Sequence, residues 1–206
     1  MSDLSLVIGR QERDLRDLPL DFTVGVITGS FDPVHLGHIE MADSALAYEG
    51  FRINMVLFYV HNQTPGKSPA PYDVRVRILT EIIAERPLMG IIKSDNIDRD
   101  IPEGHTWNSW LFSRLRDYHP LRYCKVISCE RVKYAANEDI DIDCLVSPRY
   151  DVPTELPKRF HLLPGIQRTK MSSTDIREGK RPLGKEYDAV KELIVRYYPR
   201  ALFVKD

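Results

Sequence analysis

The sequence predicts an α/β fold, a Rossmann-like doubly wound and mostly parallel sheet. Three observations lead there. From residue 22 onward, short runs rich in Val, Ile, Phe and Tyr alternate with segments of helical spacing, the pattern of strands joined by crossover helices. A glycine-containing loop follows the first of these runs, where open α/β sheets bind their ligands. The 206 residues suit one sizeable domain, and no repeat, low-complexity tract or composition shift divides the chain after residue 21. Residues 1–21 are polar and irregular, and read as an N-terminal arm or a short leading helix; residues 22–206 read as a single domain.

Each element follows from local pattern. Phe22–Thr28 is apolar enough for a buried strand, and Leu36–Tyr48 has helical spacing with Gly50 as its stop. Arg52–Val60 is a second strand, and His61–Pro71 a loop punctuated by Pro65, Gly66, Pro69 and Pro71. Asp73–Glu85 is a helix whose apolar face is Val74, Ile78, Ile82 and Ile83, with Asp73 as its cap. Leu88–Lys93 is a short strand and Thr106–Tyr118 a helix. Tyr123–Ser128, Ile142–Ser147 and Arg159–Leu163 read as strands, Ser173–Glu178 as a short helix and Glu186–Tyr198 as a longer final one.

Composition narrows the partners. The net charge of −1 provides no global field to recruit nucleic acid or a membrane surface, so phosphate binding needs local cations. Cys124, Cys129 and Cys144 are odd in number and fit no zinc spacing. They imply a reducing compartment, with Cys124 and Cys144 as buried structural thiols. No apolar stretch reaches membrane-spanning length, and the charged residues between 10 and 17 are unlike a signal peptide. A cytoplasmic protein is the expectation, with homo-oligomerisation left open.

Two segments carry chemistry. The first is Thr28-Gly29-Ser30-Phe31-Asp32-Pro33-Val34-His35-Leu36-Gly37-His38, an H-x-G-H core directly after a strand. Gly29 and Gly37 remove side chains where backbone approaches phosphate. His35 and His38 fall on one side of a helical turn, and their ring N–H groups can donate to phosphate oxygens. The alternative is a helix merely opened by Asp32 and Pro33, with two surface histidines. The second segment is Lys170-Met171-Ser172-Ser173-Thr174-Asp175-Ile176-Arg177. Ser172 to Asp175 has capping-box character, and Arg177 offers a planar, two-pronged grip on phosphate. Alone, it reads mostly as a capped surface helix with no ligand. Together the two segments make a clamp for a nucleotide triphosphate.

These segments resemble the H-x-G-H nucleotidyltransferase superfamily, and within it the nicotinate/nicotinamide mononucleotide adenylyltransferase family. The first is similar to that family's G-[ST]-F-D-P-[IV]-H-x-G-H, and the second to I-S-S-T-x-I-R, with Met171 for the leading Ile. Thr64-Pro65-Gly66-Lys67, Tyr72-Asp73-Val74-Arg75 and His105-Thr106-Trp107-Asn108-Ser109-Trp110 are similar to looser family features. Ser128-Cys129-Glu130 departs from its Gly-x-Asp.

The resemblance implies a sheet of the nucleotidyltransferase type and transfer of the adenylyl group of ATP to a pyridine mononucleotide, for NAD biosynthesis. His35, His38 and Arg177 would be catalytic. Gly29, Ser30, Phe31, Gly37, Ser172, Ser173 and Thr174 would bind ATP, and Mg²⁺ would be held mainly through its phosphates. Lys67, Thr106 and Trp107 would meet the acceptor, although an exposed loop lysine such as Lys67 is more often only solvated and Trp107 reads equally as core. Arg75 reads as a surface charge or an acceptor-side group. No protein metal site is implied. The alternatives are a pantetheine-phosphate or FMN acceptor, or a nucleotide-binding regulator without turnover.

Overall fold

The computed structural model describes residues 4–62, 66, 68–93, 101–138, 141–148, 155–164 and 172–204. Its strands are β1 (Ser5–Ile8), β2 (Gln11–Asp14), β3 (Thr23–Gly29), β4 (Met55–Val60), β5 (Met89–Lys93), β6 (Arg122–Ser128), β7 (Asp143–Ser147), β8 (Phe160–Leu162), β9 (Pro182–Leu183) and β10 (Leu202–Phe203). Its α-helices are α1 (Leu36–Leu46), α2 (Tyr72–Ile83), α3 (Trp107–Tyr118), α4 (Val132–Ala136), α5 (Ser173–Arg177) and α6 (Lys191–Tyr197).

Eight strands form one sheet in the order β2-β1-β5-β4-β3-β6-β7-β8. From β5 to β8 all pairings are parallel. Counting only those parallel strands from the first, their order is the doubly wound one of dinucleotide-binding sheets, with the reversal between β3 and β6. A crevice opens at such a reversal, beyond the carboxyl ends of the strands. β3 therefore delivers its following loop to the usual ligand position.

The sheet is covered on both faces. In β4 every residue is buried, and the side chains sort by period two. Val56, Phe58 and Val60 join one core, packed by α1, α2, Ile176 and the C-terminal residues Tyr187, Ile194 and Tyr198. Met55, Leu57 and Tyr59 join the other, packed by Leu111, Phe112 and Leu115 of α3 and by Leu4, Leu6, Leu15 and Leu18.

Several expectations are corrected. Residues 5–14 are neither an arm nor a leading helix: β1 and β2 form a hairpin, and β1 pairs antiparallel with β5. Gly9, at φ 58°, makes the two-residue turn between them possible. The final helix is broken: a 3₁₀ segment, Lys185–Val190, precedes α6. Its buried Tyr187 and Val190 stand three apart, the spacing a 3₁₀ helix aligns. The first loop's helix ends at Leu46 with Ala47 as cap rather than at Gly50, and Pro71, not Asp73, caps α2. Ser128-Cys129-Glu130 leads through a 3₁₀ turn into α4.

Candidate active site

The first loop is built around Phe31. Its backbone sits at φ 45°, a left-handed value uncommon outside glycine that costs about 1–3 kcal/mol. The ring is 2% exposed, edge-on to His38 at 5.0 Å and to Phe58 at 5.5 Å. A Cβ on Gly29 would come within 3.3 Å of that ring, so Gly29 makes room for Phe31. Burial of the Phe31 ring thus fixes the course of the loop that leads from β3 to α1.

α1 opens past Asp32 and Pro33, with His35 as its N-cap. His35 and His38 stack with ring centroids 3.7 Å apart and planes inclined by 29°. The His35 amide donates to His38 Nδ1 at 3.2 Å. In the neutral ring this leaves the proton on Nε2. His35 is buried and His38 half-buried. The two histidines are therefore a fixed pair and not surface decoration. Gly37, also buried, lies between them in the first turn of α1.

The second segment folds against the first. Ser172 caps α5 by accepting from the Asp175 amide at 3.1 Å, and Asp175 accepts from the Ser172 amide at 3.0 Å. Hydrogen bonding from the Ser172 hydroxyl, and then from its amide, holds the Asp175 carboxyl below its ordinary range. The Ser173 hydroxyl donates to the Pro33 carbonyl at 2.8 Å. Arg177 donates through Nη1 to the Asp32 carbonyl and through Nη2 to the Thr174 hydroxyl, the latter at 2.9 Å. Thus Ser173 and Arg177 hold Asp32 and Pro33, the residues that lead the chain into His35 and His38. Met171 and Lys170 lie outside the described residues, as do Lys67, Thr64 and Pro65.

Asp32 is the hub of that meeting, and sequence reasoning missed it. Its carboxylate accepts from the Tyr198 hydroxyl at 2.7 Å and the Ala70 amide at 3.0 Å, and Arg177 stands 3.3 Å away. Burial, helped by that bond, pushes the Tyr198 phenol well above its ordinary value. The Tyr187 hydroxyl donates to the Val34 carbonyl at 2.9 Å. The C-terminal segment thereby braces the first loop from beneath.

Arg75 is the clearest correction. It is 1% exposed and is no surface charge. Its guanidinium donates to the carbonyls of Ala70 (2.7 Å), Ser30 (2.5 Å), His61 (2.8 Å) and Asn62 (3.1 Å). One planar cation thus joins the loops after β3 and β4 and the entry to α2. Its neighbour Tyr72 lies under it at 5.8 Å. The only sequence signal was an arginine between Val74 and Val76 on a helix whose apolar stripe it shares.

Trp107, expected to meet the acceptor, stands at the end of β4. The Trp107 ring lies 4.0 Å from the His61 ring and 5.1 Å from that of Tyr59. It is half-buried, so it both packs on the core and presents a face. Thr106 caps α3, accepting from the Ser109 amide at 3.1 Å. Its hydroxyl is accordingly committed as an acceptor, with its proton still to donate. Glu130 is exposed just past β6.

Among the described residues, no three His, Cys, Asp or Glu side chains converge as a metal cage. The three thiols are buried and unpaired with one another. Burial pushes Cys124 up to about 12 and Cys144 to about 11, which suits inert structural thiols. No helix of the described residues is long and apolar enough to cross a membrane.

An 80-residue stretch is 36% identical to a probable nicotinate-nucleotide adenylyltransferase of Thermus thermophilus, covering 38% of this chain and 41% of that protein. The stretch thus spans less than half of that relative's length. A probable nicotinate-nucleotide adenylyltransferase of Moorella thermoacetica is 27% identical, with 75% of this chain and 78% of that protein covered. A phosphopantetheine adenylyltransferase of Clavibacter michiganensis is 26% identical over 75% of this chain and 82% of its own length. The solved nicotinic acid mononucleotide adenylyltransferase of Plasmodium falciparum, complexed with NaAD, superposes with a TM-score of 0.62 at 15% identity. It covers 87% of this chain and 97% of that one, a likeness of fold. Residues 26–179, well over half of the chain and spanning both motifs, match the cytidylyltransferase-like family model, and the chain belongs to that family.

Proposed function

We propose that this protein transfers the adenylyl group of ATP to nicotinate or nicotinamide mononucleotide, releasing pyrophosphate and forming the dinucleotide. The observation that carries this reading is the stacked His35–His38 pair on the loop that Ser173 and Arg177 also grip. The family membership and the names of the Thermus and Moorella relatives support the choice of reaction and acceptor.

A phosphate monoester is largely dianionic at neutral pH, since its second pKa is ~6. It needs no protein base to attack. An oxygen of the mononucleotide phosphate bonds to the α-phosphorus of ATP, and the bond from that phosphorus to the β-bridging oxygen breaks in line. The electron pair leaves with pyrophosphate. The obstacle is bringing two polyanions together, so catalysis consists of positioning and charge neutralisation.

In this reading His38 donates from Nε2 to the reacting phosphate, and His35 holds the stack and the start of α1. Arg177 turns its exposed edge to the departing phosphates, with Ser172, Ser173 and Thr174 beside it. The backbone of Gly29, Ser30 and Phe31, and the first turn of α1 at Gly37, are proposed for the body of ATP. Trp107 offers a face to the pyridine ring and Thr106 a hydroxyl to its polar substituent. Lys67 is proposed for the acceptor phosphate. Mg²⁺ would enter with ATP, held mainly through its phosphates.

The Clavibacter relative favours phosphopantetheine as a second reading of the acceptor. A panel of both pyridine mononucleotides, phosphopantetheine and FMN with MgATP, read by pyrophosphate release and chromatography, tests the assignment. Dinucleotide from a pyridine mononucleotide alone is expected. Product only with phosphopantetheine overturns the acceptor and keeps the chemistry. ATP binding with no product from any acceptor indicates a nucleotide-binding regulator.

A further inference from the structure

Lys125 lies in the middle of β6, on the face of the sheet covered by α3, and its side chain is only 6% exposed. A buried ammonium is costly unless paired and hydrogen-bonded. Its partner is Glu138, itself 16% exposed, with Nζ 2.6 Å from Oε2. The other carboxylate oxygen, Oε1, accepts from the Asn108 side-chain amide. The carboxylate dictates which way the Asn108 amide points, because only Nδ2 can donate to it. The Asn108 Oδ1 is buried without a hydrogen-bond partner among the described residues. Nothing in the phosphate chemistry above uses this triad.

Its position in the fold suggests its work. Asn108 is the second residue of α3, directly after Trp107 and two after the capping Thr106. Further polar ties from α3 to the rest of the chain come from its far half: Arg116 to the Asp141 carbonyl and Tyr118 to Asp14. The N-terminal turn, which carries Trp107 and Thr106, is held at Asn108. Lys125 belongs to a central strand bonded on both edges, so it is an immobile anchor. Glu138 relays that anchor to the helix.

Resting on the function proposed above, we propose that Lys125, Glu138 and Asn108 are positioning residues that set the place of Trp107 and Thr106 at the acceptor end of the site. They touch neither ATP nor the reacting phosphates. The buried pair fixes the first turn of α3 against β6, and Trp107 then stands where its ring meets His61 and Tyr59. A loose first turn would blur the platform for a flat ring while leaving the His35–His38 pair intact. Misplacement on the scale of 1 Å is enough to cost a large factor in a positioned reaction.

The test uses Asn108→Leu, which removes the tie while matching the volume of the side chain and suiting a helix. A second variant, Lys125→Met with Glu138→Leu, replaces the whole pair by apolar groups, a change that is often stable where removing one partner is not. Both are compared with the wild type for KM of the mononucleotide, KM of MgATP and kcat. Trp107 fluorescence and its quenching by acrylamide are read separately, in a Trp110→Phe background. Expected in both variants is a rise of about tenfold in the KM for the mononucleotide, with kcat and the KM for MgATP within about twofold. A shift in Trp107 emission and easier quenching accompany it. An unchanged mononucleotide KM with unchanged Trp107 emission in folded Asn108→Leu overturns the proposal, as does wild-type behaviour of the apolar pair. Should the wild type itself form no dinucleotide, the function proposed above falls, while the emission comparison still reports whether the triad places Trp107.

Discussion

Replacing Arg75 tests whether the site is held together from inside the fold. The guanidinium is 1% exposed and makes four hydrogen bonds to main-chain carbonyls. Hydrogen bonds to a charged donor contribute ~1.5–3 kcal/mol each, but these four share one group and are not additive. The receiving carbonyls belong to half-buried loop residues, Ser30, His61, Asn62 and Ala70, so water can satisfy some of them after the change. A loss of ~4 kcal/mol for Arg75→Leu follows, at the upper end of what single substitutions cost. At this chain length about 2–4 °C of Tm accompany each kcal/mol, so the midpoint drops by roughly 8–16 °C. Arg75→Lys keeps the charge but replaces the planar fork by a point donor that cannot reach all four carbonyls, so about half that loss is expected. Calorimetry or thermal circular dichroism measures it. Because the Ser30 carbonyl is one of the four, kcat/KM should fall more than tenfold in Arg75→Lys at temperatures where it remains folded, a figure of about that order for a displaced site. A surface arginine would cost within ~0.5 kcal/mol. An Arg75→Lys protein with wild-type midpoint and wild-type kcat/KM refutes the reasoning.

His38→Ala should keep its Tm within a few degrees yet lose ~2.7–4 kcal/mol of activation free energy, seen in steady-state kinetics on the folded variant; turnover near wild type would remove His38 from the mechanism. Arg177→Lys should weaken MgATP binding in calorimetric titration, because the fork that spans the Asp32 carbonyl and the Thr174 hydroxyl cannot be reproduced by an ammonium. A collapse in Tm without a change in MgATP affinity would instead make Arg177 a purely structural clasp. The thiols give a pH prediction. Burial raises Cys124 to about 12 and Cys144 to about 11 from an ordinary 9.0, so the unfolded chain loses these protons first. Their contribution to stability is full below pH ~9 and is lost as pH rises through the folded values. Urea midpoints should therefore decline above that pH, and a thiol reagent at pH 8 should label the native protein far more slowly than the urea-unfolded one; rapid native labelling of Cys124 or Cys144 would contradict their burial.

What the sequence by itself determined is the local part of the problem. The unbroken apolar runs of β3 and β4, the 3.6-residue spacing of α1, α2 and α3, and the reciprocal cap at Ser172 and Asp175 are each decided by neighbours in the chain. The alternation of those elements was enough for the doubly wound class, since helices crossing between parallel strands leave few topologies. The two motifs were legible because small, cyclic and hydroxyl-bearing residues at set spacing are rare as accidents. Tertiary structure alone decided the rest. The Gln11–Asp14 strand is wholly polar, as an outer edge strand can be, so no periodicity announced it; only its hairpin partner, paired to β5, makes it a strand. The break before α6 follows from Tyr187 and Tyr198 reaching Val34 and Asp32 more than 150 residues away in sequence. Arg75 reads as a surface cation because charge normally stays in water, and Lys125 inside a strand gives no signal of a partner; their burial becomes tolerable only once distant carbonyls and Glu138 are brought to meet them. The same holds for Asp32, which gathers the first loop, Ala70, Arg177 and Tyr198. Its partners are defined by the closed fold, and a chain read residue by residue contains no trace of their distances.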